Sequence, residues 1–157
     1  MAPVNEILLL VQDSAFSTWT RESSWALFTF LIVHTIGMGA IVGTGIAMDL
    51  RILGAASHLP RALWPRFAPL IKWALVFTIA SGVLLVIAYP AKALLNVLFY
   101  IKLTILAGAL LWTRRLALSP ATSRALRAPA IACLVLWCSG IAAGKFLEYT
   151  HKVLLLE

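Results

Sequence analysis

WALFTFLIVHTIGMGAIVGTGIAMDLR, residues 25–51, is the run on which the fold turns. It carries no charge until Asp49, a single histidine (His34), and glycines at Gly37, Gly39, Gly43 and Gly45. In a water-soluble helix each glycine costs about 1 kcal/mol relative to alanine. A transmembrane helix accepts them, because small residues let a neighbouring helix or a flat ligand come close to the backbone. A histidine within hydrocarbon marks a functional site by default. What His34 faces is therefore the question for the whole chain.

Outward from this run, the composition agrees. Of 157 residues, 62% are hydrophobic and 12% are charged, and the mean hydropathy is +0.95, outside the range of ordinary soluble domains. Crossing ~30 Å of hydrocarbon takes about 20 residues, and four stretches meet that length: 25–48, 68–89, 97–118 and 130–150. The sequence predicts an all-α bundle of four transmembrane helices forming a single integral membrane domain over 1–157, with no room for a soluble catalytic domain.

Residues 3–20 place Val4, Leu8, Val11, Ala15 and Trp19 on one helical stripe, which predicts a short amphipathic helix lying on the membrane surface. A disordered tail is the alternative, since Ser14, Ser17 and Thr18 are poor helix formers. Ser23-Ser24 can cap the first span, with Glu22 favourably placed at its positive end. Gln12-Asp13 ends the run Ile7–Val11 and no basic segment precedes it, unlike a cleavable signal. The loop 54–69 holds His58, read as an ordinary loop residue, and three prolines. The segment 90–96 reads as a short turn carrying Lys92, and 119–129 as a polar, basic loop. Gly140-x-x-x-Gly144 in the last span is a close-packing motif.

The net charge of +7 is distributed in a way that argues for a membrane and against nucleic acid. Arg51, Arg61, Arg66 and Lys72 flank the first loop; Arg114, Arg115, Arg124 and Arg127 flank the third. An even number of spans separates the two loops, so they share a side, cytoplasmic by the positive-inside rule. Glu6, Asp13, Glu22, Glu148 and Glu157 fall on the other side. The expected arrangement is multi-pass in a bacterial inner membrane, both termini periplasmic. Cys133 and Cys138 are five apart on one helix and cannot pair with each other. No Cys-x-x-Cys-His is present, which excludes covalent haem attachment.

Counted at 1.5 Å per residue, His34 lies ~14 Å in from Trp25 and Lys102 ~9 Å in from Asn96 on the same side. Lys145 is at a depth similar to that of Lys102, and His151 is at the edge. These groups gather in the outer half of the bundle on three helices. Neutral imidazole ligates haem iron well, and Gly37 and Gly39 beside it would clear space for a ring. Haem propionates need cationic or hydrogen-bonding partners; Lys145, Lys92, Arg21 and Tyr149 stand at that face. His34 and Lys102 match best in depth as a pair of metal ligands, with His151 as an alternative partner. Against this stands an interhelical hydrogen bond from His34 to Ser81 or Thr104, with Lys102 and Lys145 snorkelling to the interface. Met38 and His34 make too thin a set for copper(I).

The run from His34 through Gly-Met-Gly39, Gly43 and Asp49-Leu-Arg-Ile-Leu-Gly54, then Asn96, Phe99-Tyr-Ile-Lys102-Leu and Trp137 to Gly144-Lys145, resembles a group of uncharacterised bacterial four-helix inner-membrane proteins. The resemblance covers residues 25–150 and implies the four-helix fold, with no activity to carry over. More distantly, the first-span histidine and the aromatic-x-x-Lys-Leu of the third span are similar to the small membrane protoporphyrinogen oxidases that bind haem b, which implies His34 and Lys102 as the essential pair. Those oxidases carry Trp-x-x-Gly and Tyr-x-x-Arg patterns after the histidine, where this chain has Gly-Met-Gly and Asp-Leu-Arg. The D-type copper-resistance membrane proteins share the hairpin style.

The resulting expectation is a non-covalent haem b protein of cytochrome b-like character, passing electrons between quinone or a partner enzyme and an acceptor at the outer face. Two alternatives stand beside it: a protoporphyrinogen oxidase-like enzyme, and a cofactor-free structural subunit or small-solute channel. Whether the chain catalyses a reaction stays open. Its glycine-rich faces are compatible with a homo-oligomer and do not demand one.

Overall fold

The computed structural model describes the backbone of residues 2–55, 58 and 60–153, with the side chains of 6–147 other than 56, 57, 59, 61 and 62, and that of Tyr149. Among these residues all regular structure is helical: α1 (Ala2–Gln12), α2 (Ala15–Glu22), α3 (Ala26–Leu53), α4 (Ala68–Ala88), α5 (Pro90–Leu94), α6 (Val97–Leu118) and α7 (Ser123–Val153). A 3-10 segment, Arg61–Phe67, leads into α4.

Four helices are long and apolar enough to cross a membrane: α3, the 3-10 segment with α4 (Leu63–Ala88), α6, and α7 up to Leu147. Many of their large apolar side chains point outward. Phe28, Ile36, Trp73, Ile79, Leu111 and Phe146 are all exposed, as suits helices whose surroundings are hydrocarbon. The helices run up and down. Gly37 of α3 meets Thr78 and Ala74 of α4, and Gly45 of α3 meets Trp137 of α7. Gly140 and Gly144 of α7 meet Leu106 and Lys102 of α6. α3 is thus antiparallel to both α4 and α7, and α7 to α6. The end of α3, the start of α4, the end of α6 and the start of α7 share one end of the bundle, which carries the arginine-rich loops.

Glycine governs two of these contacts by position. A Cβ at Gly45 would stand 2.5 Å from the Trp137 ring, so the indole occupies the notch that Gly45 leaves. A Cβ at Gly140 would stand 2.5 Å from Leu106 Cδ2. The Gly140-x-x-x-Gly144 motif therefore packs α7 onto α6 within one chain. Gly39 and Gly43 meet nothing within 4 Å. Trp137, at 0% exposure, anchors a core with Ile41, Met48, Ile52, Ala109 and Leu116.

Several boundaries differ from the sequence expectation. α3 runs five residues past 48, and ends where Gly54 takes a left-handed φ of 112° that closes the last turn. Asp49, just outside the expected span 25–48, is consequently inside the helix and fully buried. α7 begins at Ser123 and carries Pro129 within it, so most of the expected loop 119–129 is helix. The segment after Pro90 is the single-turn α5, not a plain turn.

The expected helix over 3–20 is two helices. Ser14 breaks it: its hydroxyl donates to Val11 O (2.7 Å) and accepts from Ser17 N (3.3 Å), capping α2. The stripe is also displaced. α2 buries Ser17 and Thr20, while Phe16 and Trp19 point outward. The reason lies in the last turn of α4, whose carbonyls need donors. Ser17 Oγ donates to Ile87 O (2.9 Å), and Arg21 Nη1 donates to Ala88 O (3.1 Å), Gln12 O (2.8 Å) and Ser17 Oγ (2.7 Å). At the next helix start, Ser23 Oγ accepts from Ala26 N (3.3 Å), and Asn96 Oδ1 caps α6 by accepting from Leu98 N (2.9 Å).

Candidate functional site

Two polar groups of different character lie inside the bundle. The first centres on His34, half-buried on the side of α3 facing α4. Its Nδ1 is 3.0 Å from Thr78 O and 3.3 Å from Ser81 Oγ. A carbonyl only accepts, so Nδ1 carries the proton and donates. The Ser81 hydroxyl is directed at Phe77 O (2.6 Å), which leaves its oxygen free to accept from Nδ1. In the neutral ring Nε2 then bears the lone pair, the state in which histidine ligates metals. Gly82 makes the close approach of the ring possible, since a Cβ there would stand 3.1 Å from His34 Cε1.

Lys102 of α6 lies toward the same end of the bundle as His34, away from the arginine-rich loops. Gly144 gives the lysine its room: a Cβ at Gly144 would stand 3.4 Å from Lys102 Cε and 3.5 Å from Nζ. His34 is therefore turned toward α4 and Lys102 toward α7. The other expected residues are placed differently. The space beside Gly37 is filled by Thr78 Oγ1, a buried hydroxyl without a hydrogen-bond partner that rests against the glycine backbone. Gly39 is exposed and faces away from the α3–α4 contact, and Lys145 is exposed. Arg21, considered for propionates, is engaged with the carbonyls at the end of α4. His151 falls on the last turn of α7, and its side chain is outside the described residues. Among the described residues no three His, Cys, Asp or Glu side chains converge as a metal site.

Known proteins give no match. Neither a family model, nor a curated protein, nor a solved structure matches this chain. The chemistry of the site therefore has to be argued from its own side chains.

The second group lies at the other end of the bundle. Asp49 of α3, Thr113 of α6, and Cys133 and Trp137 of α7 are each 0% exposed. Trp137 Nε1 donates to Thr113 Oγ1 (3.0 Å), which is 3.2 Å from Cys133 Sγ, and the thiol donates to Ala109 O (3.6 Å). With the thiol proton on Ala109 O, the Thr113 hydroxyl donates to the sulfur. The chain of donors thus runs in one direction and ends on a backbone carbonyl. Cys133 lies against the Asp49 carboxyl, yet neither Asp49 oxygen has a hydrogen-bond partner.

Sequence reading missed this second group because it ended the first span at 48, one residue short of Asp49. The signal was present in Gly54: a glycine just past a helix end sets the true boundary, five residues beyond Asp49. Cys133 was read only for disulfide pairing; it is a free, buried thiol, and Cys138 is free and exposed.

Proposed function

We propose that the chain is a multi-pass protein of the bacterial inner membrane that binds haem b non-covalently through His34, with Lys102 opposite, and takes part in electron transfer. The observation that carries this reading is the hydrogen bond from His34 Nδ1 to Thr78 O at 3.0 Å. An acceptor on one ring nitrogen fixes the tautomer and orients the other nitrogen as a ligand, the arrangement found behind most metal-binding histidines. Ser81 adds a second acceptor to the same nitrogen. Lys102, given room by Gly144, brings a second donor atom from the α6–α7 side. When bound, haem b supplies one-electron redox chemistry. The protein's part is to hold the ring nitrogen and the amine in an apolar bundle that excludes water.

Orientation belongs to the same proposal. The arginine-rich end, with Arg51, Arg66, Lys72, Arg114, Arg115, Arg124 and Arg127 at or beside the helix ends there, is cytoplasmic by the positive-inside rule. The His34–Lys102 level then lies in the periplasmic half, with both termini periplasmic, suited to a quinone or a periplasmic redox partner protein.

One observation favours a second reading. The hydrogen bonds of His34 also tie α3 to α4, and such bonds serve as glue in membrane bundles; on that reading the chain is a cofactor-free subunit or channel. Visible spectra of the detergent-solubilised protein, oxidised and dithionite-reduced, separate the two. The haem reading expects a Soret band with resolved α and β bands on reduction, lost in His34→Ala and converted to a five-coordinate spectrum in Lys102→Leu, which offers the iron no ligand atom. A featureless spectrum from haem-supplemented cells overturns it and leaves the structural role.

A further inference from the structure

We infer that Asp49, with Cys133 and Thr113, forms a binding site for a small monovalent cation, a proton or an alkali ion, at the arginine-rich end of the bundle. It is separate from the His34 site and does not depend on what His34 holds. A carboxylate fully removed from solvent with both oxygens unpartnered is one of the costliest groups a helical bundle can contain. Asp49 is such a group: its exposure is 0%, and Oδ1 and Oδ2 both lack a hydrogen-bond partner.

The neighbouring side chains hydrogen-bond to one another and to the backbone, and none of them makes a hydrogen bond to either Asp49 oxygen. The Trp137 N–H goes to Thr113, the Thr113 O–H to Cys133, and the Cys133 S–H to Ala109 O. Cys133 lies beside the carboxyl without satisfying it. A fully buried carboxylate whose oxygens lack hydrogen bonds is the complement of a positive charge. A multivalent metal would need three or more strong ligands, and no such group converges here among the described residues. A single charge from a proton or an alkali ion balances a single carboxylate.

Among the described residues no lysine or arginine hydrogen-bonds to Asp49, and the titratable group of α7 that lies against it is Cys133. Arg114 and Arg115 beside Thr113 are exposed, as are Arg127 on α7 and Lys72 on α4. On α3 itself Arg51 is two residues on, more than half a turn round the helix. The site spans three helices, so loading and unloading it would be felt where α3, α6 and α7 meet.

Infrared spectra of the full-length protein in lipid vesicles test the proposal, using sodium chloride against choline chloride as the probe and Asp49→Asn as the reference. A proton at the site gives a protonated-carboxyl C=O band that shifts in D2O and is lost in Asp49→Asn. An alkali ion gives an ionised-carboxylate band that moves saturably with sodium and not with choline, with a parallel rise in Tm. Should Asp49→Asn fail to fold, Cys133→Ser keeps the carboxyl and displaces whichever band belongs to it. An ionised Asp49 whose band and Tm are indifferent to sodium overturns the inference.

Discussion

Gly45 and Gly39 are chemically identical and six residues apart on one helix, yet the structure gives them opposite roles. Gly45 accommodates the Trp137 indole, while Gly39 meets nothing within 4 Å. Gly45→Ala is therefore expected to overpack the α3–α7 contact and destabilise by about 1–3 kcal/mol. Gly39→Ala removes a flexible glycine from a helix and is expected to stabilise by roughly 0.5–1 kcal/mol. Thermal unfolding of the two variants in detergent checks the difference: Tm falls for the first and holds or rises for the second. Trp137→Phe tests the same notch by chemistry, since it removes the donor to Thr113 at a cost of about 0.5–1.5 kcal/mol, again read as a fall in Tm. That His34 and Lys102 lie toward the same end of the bundle was legible, because helical rise converts residue number into height. Which glycine meets what was not legible, because rotation about the helix axis follows from the partner's side chains. Gly37 meets Thr78 and Gly45 meets Trp137 for reasons held on other helices.

Among the elements, the paired helices α1 and α2 are tied to the end of α4 by polar contacts. Ser17 and Arg21 satisfy Ile87 O and Ala88 O at the end of α4, and Arg21 also binds Gln12 O at the end of α1. Arg21→Met should therefore free α1 and α2 while leaving the four long helices intact. Hydrogen exchange over residues 2–22 should accelerate, with exchange in α3, α6 and α7 unchanged; equal acceleration throughout would mean that Arg21 supports the whole bundle. Pro129 makes the converse case. It sits in the second turn of α7, where its ring removes a hydrogen bond to Ala125 O and crowds that carbonyl. Pro129→Ala is expected to raise Tm, by up to about 3 kcal/mol of helix stability. These two places are also where sequence reading and structure part. α6 was legible at both ends, since Asn96 caps one and the arginines mark the other. α7 was not, because the polar, basic residues of 119–129 were read as a loop, whereas the helix begins at Ser123. The single stripe read over 3–20 missed the capping role of Ser14 and the demand of the α4 carbonyls for Ser17 and Arg21.

For the whole molecule, the pattern of charge and the pattern of depth point the same way. Up-and-down packing brings the ends of α3 and α6 and the starts of α4 and α7 together, and the basic loops follow. The His34–Lys102 level and the Asp49 cluster lie toward opposite ends of α3, separated by fifteen residues, or about 22 Å of helix. Orientation therefore decides which face each polar group serves, and labelling can establish it. In a Cys138→Ser background the remaining thiol, Cys133, is fully buried, so single cysteines placed at Lys92 and Pro120, both exposed, report their own side. With the arginine-rich end cytoplasmic, Lys92→Cys should react with a membrane-impermeant maleimide in spheroplasts, and Pro120→Cys only in inverted vesicles. The reverse pattern would put His34 in the cytoplasmic half, against the positive-inside rule, and would move the expected redox partner to the other face. Labelling of both positions from one side would break the four-span topology itself, since α6 separates them and must then fail to cross.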